Sequence, residues 1–289
     1  MPPLTLTYSL AASSGLTAGG EGRTATGKNT FFHTLAASVM LAATAGLMTA
    51  CTSNDDNPVE TPPEPTDFAP AAAEAVDLGL PSGTKWANMN VGAEAPEDYG
   101  LYFAWGETVG YTSDTSDGRL FNWASYKWMN AGESSWKQIK KYQIQDGQAS
   151  ACWYQFNEGT GDYEFIGDGK AVLDLEDDAA RANWGGDWRM PTYEDFQELL
   201  ANTTNEWITV GTVTGRKFTS KTNGNSIFLP AAGYRGGSGL YQSTVGYYWS
   251  STVSPLDSSN CARYLYFYSS YISTGNDHRY YGRSVRPVH

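Results

Sequence analysis

Tyr247-Tyr248-Trp249-Ser250-Ser251-Thr252, Ala262-Arg263-Tyr264-Leu265-Tyr266-Phe267-Tyr268 and Tyr280-Tyr281-Gly282-Arg283-Ser284-Val285-Arg286-Pro287-Val288 are the three runs that decide how this chain folds. All are rich in aromatic residues and are divided by polar turn clusters at Ser254 to Asn260 and Ser273 to Asp277. That pattern predicts short antiparallel strands. The stretch from Tyr241 to Arg283 also holds nine of the 19 tyrosines. Tyrosine offers a rigid contact surface tipped by a hydroxyl, and serine, asparagine and glycine adapt around it, the mixture found in antibody paratopes. A tyrosine-rich sheet with decorated loops is the plainer reading of the same residues. On strand alternation Leu265 and Phe267 are expected as core, with Arg263, Tyr266 and Tyr268 on the opposite face. Asp257, Ser259, Asn260, Tyr271, Ser273, Asn276, Asp277, His278 and Arg283 are the expected loop and rim contacts.

Upstream, Val76 to Ala87 predicts two short strands around a turn at Pro81 to Gly83, and Tyr99 to Glu107 predicts a buried strand. Gly110 to Tyr142 carries Trp123, Trp128 and Trp136 in a polar background, the composition of a long loop pinned by aromatic side chains. Ser150 to Tyr154 and Tyr163 to Ile166 flank Glu158 to Asp162 as a hairpin. Asp177 or Asp178 caps a short helix ended by Gly185-Gly186; Thr192 caps a second, with Phe196, Leu199 and Leu200 facing inward. Beyond Leu200 the pattern is strand and turn. Two helices among many strands predict an α+β domain over residues 76–289.

Residues 1–50 read as a leader: Lys28 precedes an apolar run from Phe31 to Met48, followed by Thr49-Ala50-Cys51. Residues 51–75 hold five prolines among scattered acids, the composition of an extended tether. The formal net charge is −12, with no basic cluster, which argues against a nucleic-acid partner. Three cysteines and three histidines outline neither a disulfide scaffold nor a metal site.

Several of these segments together resemble a known family. Leu47 to Cys51 is similar to the lipobox of bacterial lipoproteins, in which the cysteine is acylated, and Ser53-Asn54-Asp55-Asp56 resembles the acidic export signal of Bacteroidetes surface lipoproteins. Val76 to Glu107, Asp177 to Leu200, Phe228 to Arg235, Tyr248 to Thr252 and Tyr280 to Val288 resemble the Fibrobacter succinogenes major paralogous domain. Ala180-Arg181-Ala182-Asn183-Trp184-Gly185-Gly186 followed by Trp188-Arg189-Met190-Pro191-Thr192 is the most specific part. The resemblance implies a C-type lectin-like fold, related to the sulfatase-modifying factors, on an outer-membrane surface lipoprotein anchored through Cys51. It also implies an extracellular protein or glycan ligand. Some relatives are rewritten at adenines by diversity-generating retroelements. Codons mutated in that way cannot become Lys, Gln, Glu, Met or Trp, and none of these occurs from Ser250 to Arg283, the expected variable segment 250–283.

Catalysis has little footing in the sequence. Asp177, Asp178, Glu194 and Asp195 fall in first helical turns, where caps and dipole partners are expected. Cys152 and Cys261 lie far from any oxidase-type cysteine motif, though export leaves a disulfide between them open. His278 is expected on an exposed turn without a nucleophile. Ala95-Pro96-Glu97 and Asn276-Asp277 do not match calcium-lectin patterns, and neither a cofactor nor a metal is expected. Two alternatives remain beside the binding module: a structural cell-envelope or fimbrial-tip component, and an exported enzyme.

Overall fold

The computed structural model describes residues 68–241, 243–255 and 259–289. The leader, Cys51, the tether as far as residue 67 and Asp257 lie outside them. All described residues fall within one compact unit, Glu60–His289. Packing begins at the first of them: the Phe68 N–H donates to the Trp184 carbonyl at 2.8 Å, and Ala69 and Ala73 rest on the core. The last part of the expected tether, Phe68 to Ala75, is therefore folded chain.

The strands in chain order are β1 (Ala75–Val76), β2 (Trp86–Ala87), β3 (Tyr102–Phe103), β4 (Tyr154–Asn157), β5 (Asp162–Phe165), β6 (Thr203–Val210) and β7 (Val213–Ser220). They continue with β8 (Ser226–Pro230), β9 (Tyr234–Gly236), β10 (Gly239–Tyr241), β11 (Gly246–Val253), β12 (Cys261–Tyr268), β13 (Tyr271–His278) and β14 (Arg283–Ser284). Two α-helices, α1 (Ala179–Trp184) and α2 (Tyr193–Asn202), stand between β5 and β6.

The α+β, C-type lectin-like expectation is overturned. Over the described residues the protein is mostly β, 36% strand against 13% helix in five sheets, and no C-type lectin fold is evident among them. The physical reason is where the helices stop. α1 runs six residues to the glycine pair, and α2 passes directly into β6, whose β-branched and aromatic residues favour a pleated ladder.

The largest sheet has the order β13-β12-β11-β14-β3, antiparallel except for the parallel β11/β14 pair. β6-β7-β8 form a second antiparallel sheet. Between them, Tyr248, Leu265 and Phe267 from the large sheet meet Phe218, Ile227 and Leu229, with Phe196 and Leu199 of α2. On the other side Trp249 joins Phe103, Trp105, Trp184 and Val285 in a second core cluster. Lys85 and His289 exchange backbone hydrogen bonds at 3.0 and 2.9 Å, so the C-terminus closes on the first strands.

One strand assignment changes. Ser273 to Asp277, expected as a turn, lies within β13, and the reversal sits at Ser269-Ser270. Every residue from Tyr271 to His278 pairs with β12, so ladder hydrogen bonding overrode a polar composition.

Candidate functional site: a tyrosine face and an aromatic cleft

The β12/β13 register sorts the expected contact residues onto two faces. Tyr264 opposes Gly275, Tyr266 opposes Ser273 and Tyr268 opposes Tyr271, while Tyr247 of β11 opposes Tyr266. Directly paired residues share a face, so Tyr247, Tyr264, Tyr266, Tyr268, Tyr271 and Ser273 form one surface. Tyr247 and Tyr266 stack with centroids 6.5 Å apart and Tyr268 and Tyr271 at 5.7 Å; Tyr268 and Tyr271 are exposed.

Arg283 organises the inner edge of this surface. Its side chain is buried, and its guanidinium lies 3.8 Å from the Tyr264 ring centroid, 4.4 Å from Trp249 and 4.9 Å from Tyr247. It ion-pairs with Asp277, which shares the Tyr264 face through its pairing with Ala262. Burial raises the Tyr247 hydroxyl to about 12, the nearby Arg283 cation only partly opposing it, and burial also raises Tyr264. Both hydroxyls therefore stay protonated near neutral pH and both donate and accept.

Six of the expected contact residues are placed differently. Arg263 shares parity with Leu265, not with Tyr266, and its guanidinium stands over the Tyr193 ring of α2 at 4.7 Å. Asn276, its register partner, is on that same helix side. Ser259 and Asn260 are buried rather than on a rim: the Asp146 carboxylate accepts from the Ser259 N–H at 2.8 Å, and the Asn260 carbonyl accepts from the Arg279 N–H at 3.1 Å. His278 is a half-buried strand residue stacked on Tyr280 and edge-on to Trp123, with its Nδ1 3.4 Å from the Asn260 amide nitrogen. Arg283, expected on the rim, is instead the buried hub.

Tyr247 and Tyr264 escaped the sequence reading, although the alternation through Tyr266 and Tyr268 carried the signal for Tyr264. Also missed was an aromatic cleft of about 360 Å³ walled by Phe121, Tyr234, Tyr241, Tyr280 and Tyr281, with Asn122 at its lining. No sequence pattern announces it, because the Phe121 loop, the β9–β10 hairpin and the Tyr280-Tyr281 corner are distant in the chain.

Elsewhere several buried or clustered carboxylates are committed to structure. Asp178 caps α1 by accepting from the Ala180 and Arg181 N–H groups at 2.8 and 3.0 Å, and from Met190 N–H at 2.8 Å. Burial nevertheless raises its carboxyl to about 6. Asp195 closes the capping box of α2 and pairs with Arg189 at 2.6 Å. Asp174, Glu176 and Asp177 have the spacing of a cation site, but Lys141 pairs with all three, at 2.9, 3.1 and 2.6 Å. Burial pushes Asp177 up, and hydrogen bonds from Lys141, Tyr142 and Lys127 outweigh it, so its carboxyl sits below the usual range. Cys152 and Cys261 are not disulfide-bonded; the Cys152 thiol points at the Ile139 carbonyl, 3.3 Å away.

A family model described as "Domain of unknown function (DUF8237)" matches residues 177–288. The match contains both α-helices, the tyrosine face and all four cleft tyrosines, Tyr234, Tyr241, Tyr280 and Tyr281; Phe121 and Asn122 fall outside it. No curated protein and no solved structure matches the chain.

Proposed function

We propose that this protein is a surface-anchored binding module that contacts an external protein or glycan through the tyrosine face of β11–β13. One observation carries the reading: a patch of tyrosines, two of them exposed, stands on a sheet whose opposite side is packed core. Large rigid side chains tipped by hydroxyls lose little entropy on binding and offer both apolar area and hydrogen bonds. Attachment through an acylated Cys51 to the outer membrane, membership of the Fibrobacter succinogenes major paralogous domain group and retroelement diversification belong to the same proposal. Their support is sequence pattern alone. Among the described residues no helix is long and apolar enough to cross a membrane. Against an enzymatic role stands the structural employment of Asp177, Asp178 and Asp195.

The test probes the full-length protein on arrays of extracellular proteins and of glycans. The triple variant Tyr266→Ala/Tyr268→Ala/Tyr271→Ala should lose the wild-type signal while keeping its thermal midpoint. Signal that survives the triple change would remove the tyrosine face from the mechanism.

A structural envelope role is favoured by one specific feature. β13 ends the large sheet and has no strand on its outer side among the described residues. Such an edge can accept a strand from a neighbour. Concentration-dependent assembly, abolished by a proline in β13, would mark that role.

A further inference from the structure

We propose that the aromatic cleft between the β9–β10 hairpin and the Tyr280-Tyr281 corner binds a neutral pyranose sugar. This rests on the ligand-binding reading above but assigns a different site and a chemical class. The walls are aromatic, with the Tyr234 and Tyr241 rings stacked at 5.5 Å and Tyr281 edge-on to Tyr234 at 5.2 Å. Such ring faces are electron-rich and suit the weakly positive C–H face of a sugar ring. Hydrogen-bonding groups belong to the same lining. Burial raises Tyr234 and Tyr280, keeping their hydroxyls protonated, and the Asn122 amide nitrogen has no hydrogen bond among the described residues.

Charge selects among ligands. Among the described residues no charged side chain lines the cleft. A cationic ligand is disfavoured because the rings already carry guanidinium groups: Arg119 and Arg235 lie 5.0 and 5.1 Å from the Phe121 centroid, and Arg283 lies 6.0 Å from Tyr234. An anion gains little, since the charge of those three arginines is already balanced by Glu107, Asp117 and Asp277. The volume lies at the small end of ligand sites, which range over about 300–1,000 Å³, and so favours one sugar ring over a long chain. The cleft is also held open in advance. Phe121 and Gly237 exchange backbone hydrogen bonds at 2.8 and 2.9 Å, as do Arg235 and Gly282, so little ordering is required on binding.

Saturation-transfer NMR on the full-length protein tests this, with methyl glucoside, methyl galactoside, methyl mannoside and N-acetylglucosamine as probes, and tetramethylammonium and benzoate as charged controls. At least one sugar should bind saturably. Tyr241→Ala should weaken it by roughly tenfold, the worth of one aromatic contact. Tyr241 is 48% exposed, so this truncation spares the core. Val109→Ala, at an exposed position belonging to neither site, should leave sugar binding unchanged. Absence of binding by every sugar, or equal binding of a charged control, overturns the proposal. So does sugar binding that survives Tyr241→Ala and disappears in Tyr268→Ala, which would place the sugar on the tyrosine face and leave the broader binding reading standing.

Discussion

Replacing Arg283 separates the two jobs a buried cation can do. Its side chain is 1% exposed and touches Tyr264, Trp249 and Tyr247. In Arg283→Met the attraction between cation and rings is lost, worth up to about 2 kcal/mol when desolvated. Asp277 loses its partner, but its side chain is 35% exposed, so water takes over and the loss is about 1 kcal/mol or less. On the other side, Nε and Nη1 of Arg283 are buried without a hydrogen-bond partner among the described residues. Removing such donors recovers about 1–3 kcal/mol. These contributions nearly cancel, and methionine fills most of the space, so Arg283→Met should stay within about 1 kcal/mol of wild type. Arg283→Ala loses the same polar contacts and adds a void, costing about 3 kcal/mol more. For a domain of this size that difference is a fall of about 6–12 °C. Urea denaturation followed by near-ultraviolet circular dichroism measures both variants. If methionine proves as damaging as alanine, the charge rather than the volume holds the cluster, and the reasoning fails.

Three further outcomes are expected. In Gly246→Ala the added methyl runs into the Phe267 ring across the β11/β12 pair, and overpacking of this kind should cost about 1–3 kcal/mol, read as a lowered urea midpoint. Asp178 has a folded carboxyl pKa near 6 against 3.8 unfolded, so the native state binds the extra proton between these values. Its stabilising contribution is complete below the lower value and lost as pH rises through the upper one. Asp178→Asn should flatten that slope, measured by urea denaturation between about pH 4 and pH 7, while costing about 1–3 kcal/mol because an amide NH₂ replaces an acceptor facing Met190 N–H. Metabolic labelling with a palmitate analogue should mark the wild type and miss Cys51→Ala; label on the variant would end the lipoprotein proposal.

Local rules made much of this structure legible. Asp178 and Thr192 were readable as caps because a side-chain oxygen before an apolar stripe satisfies helix N–H groups whatever surrounds it. β11 and β12 were readable because aromatic runs between polar turns fit a pleated surface. What escaped was non-local. The length of β13 follows from its pairing with β12, so Ser273 to Asp277 looked like a turn in isolation. The buried arginines Arg235, Arg279, Arg283 and Arg286 violate the usual expectation for charge, and only the assembled fold supplies their partners. Arg286, for instance, donates to Asn90, to the Ala87 carbonyl and to the Phe228 carbonyl at 2.8–3.0 Å. The cleft needed three separate segments to meet.

The division of labour within β12 would let the proposed contact surface change without unfolding the chain. Leu265 and Phe267 are wholly buried against α2 and the β6–β8 sheet, while Tyr266 and Tyr268 stand on the opposite parity. Stability and contact chemistry are therefore separated by a single residue step, and a register slip of one would exchange them completely. Two glycines guard against that slip. Gly246 faces the Phe267 ring, where no side chain fits, and Gly275 lies under Tyr264, where a Cβ would come within 2.9 Å of the hydroxyl oxygen. Shifting either strand by one brings a bulkier residue to each of these points. With the register pinned and Arg283 holding Tyr247 and Tyr264 from beneath, Tyr266, Tyr268, Tyr271 and Ser273 lie beyond the core contacts. Those four positions are where new side chains alter what the surface touches at the least expense to the fold.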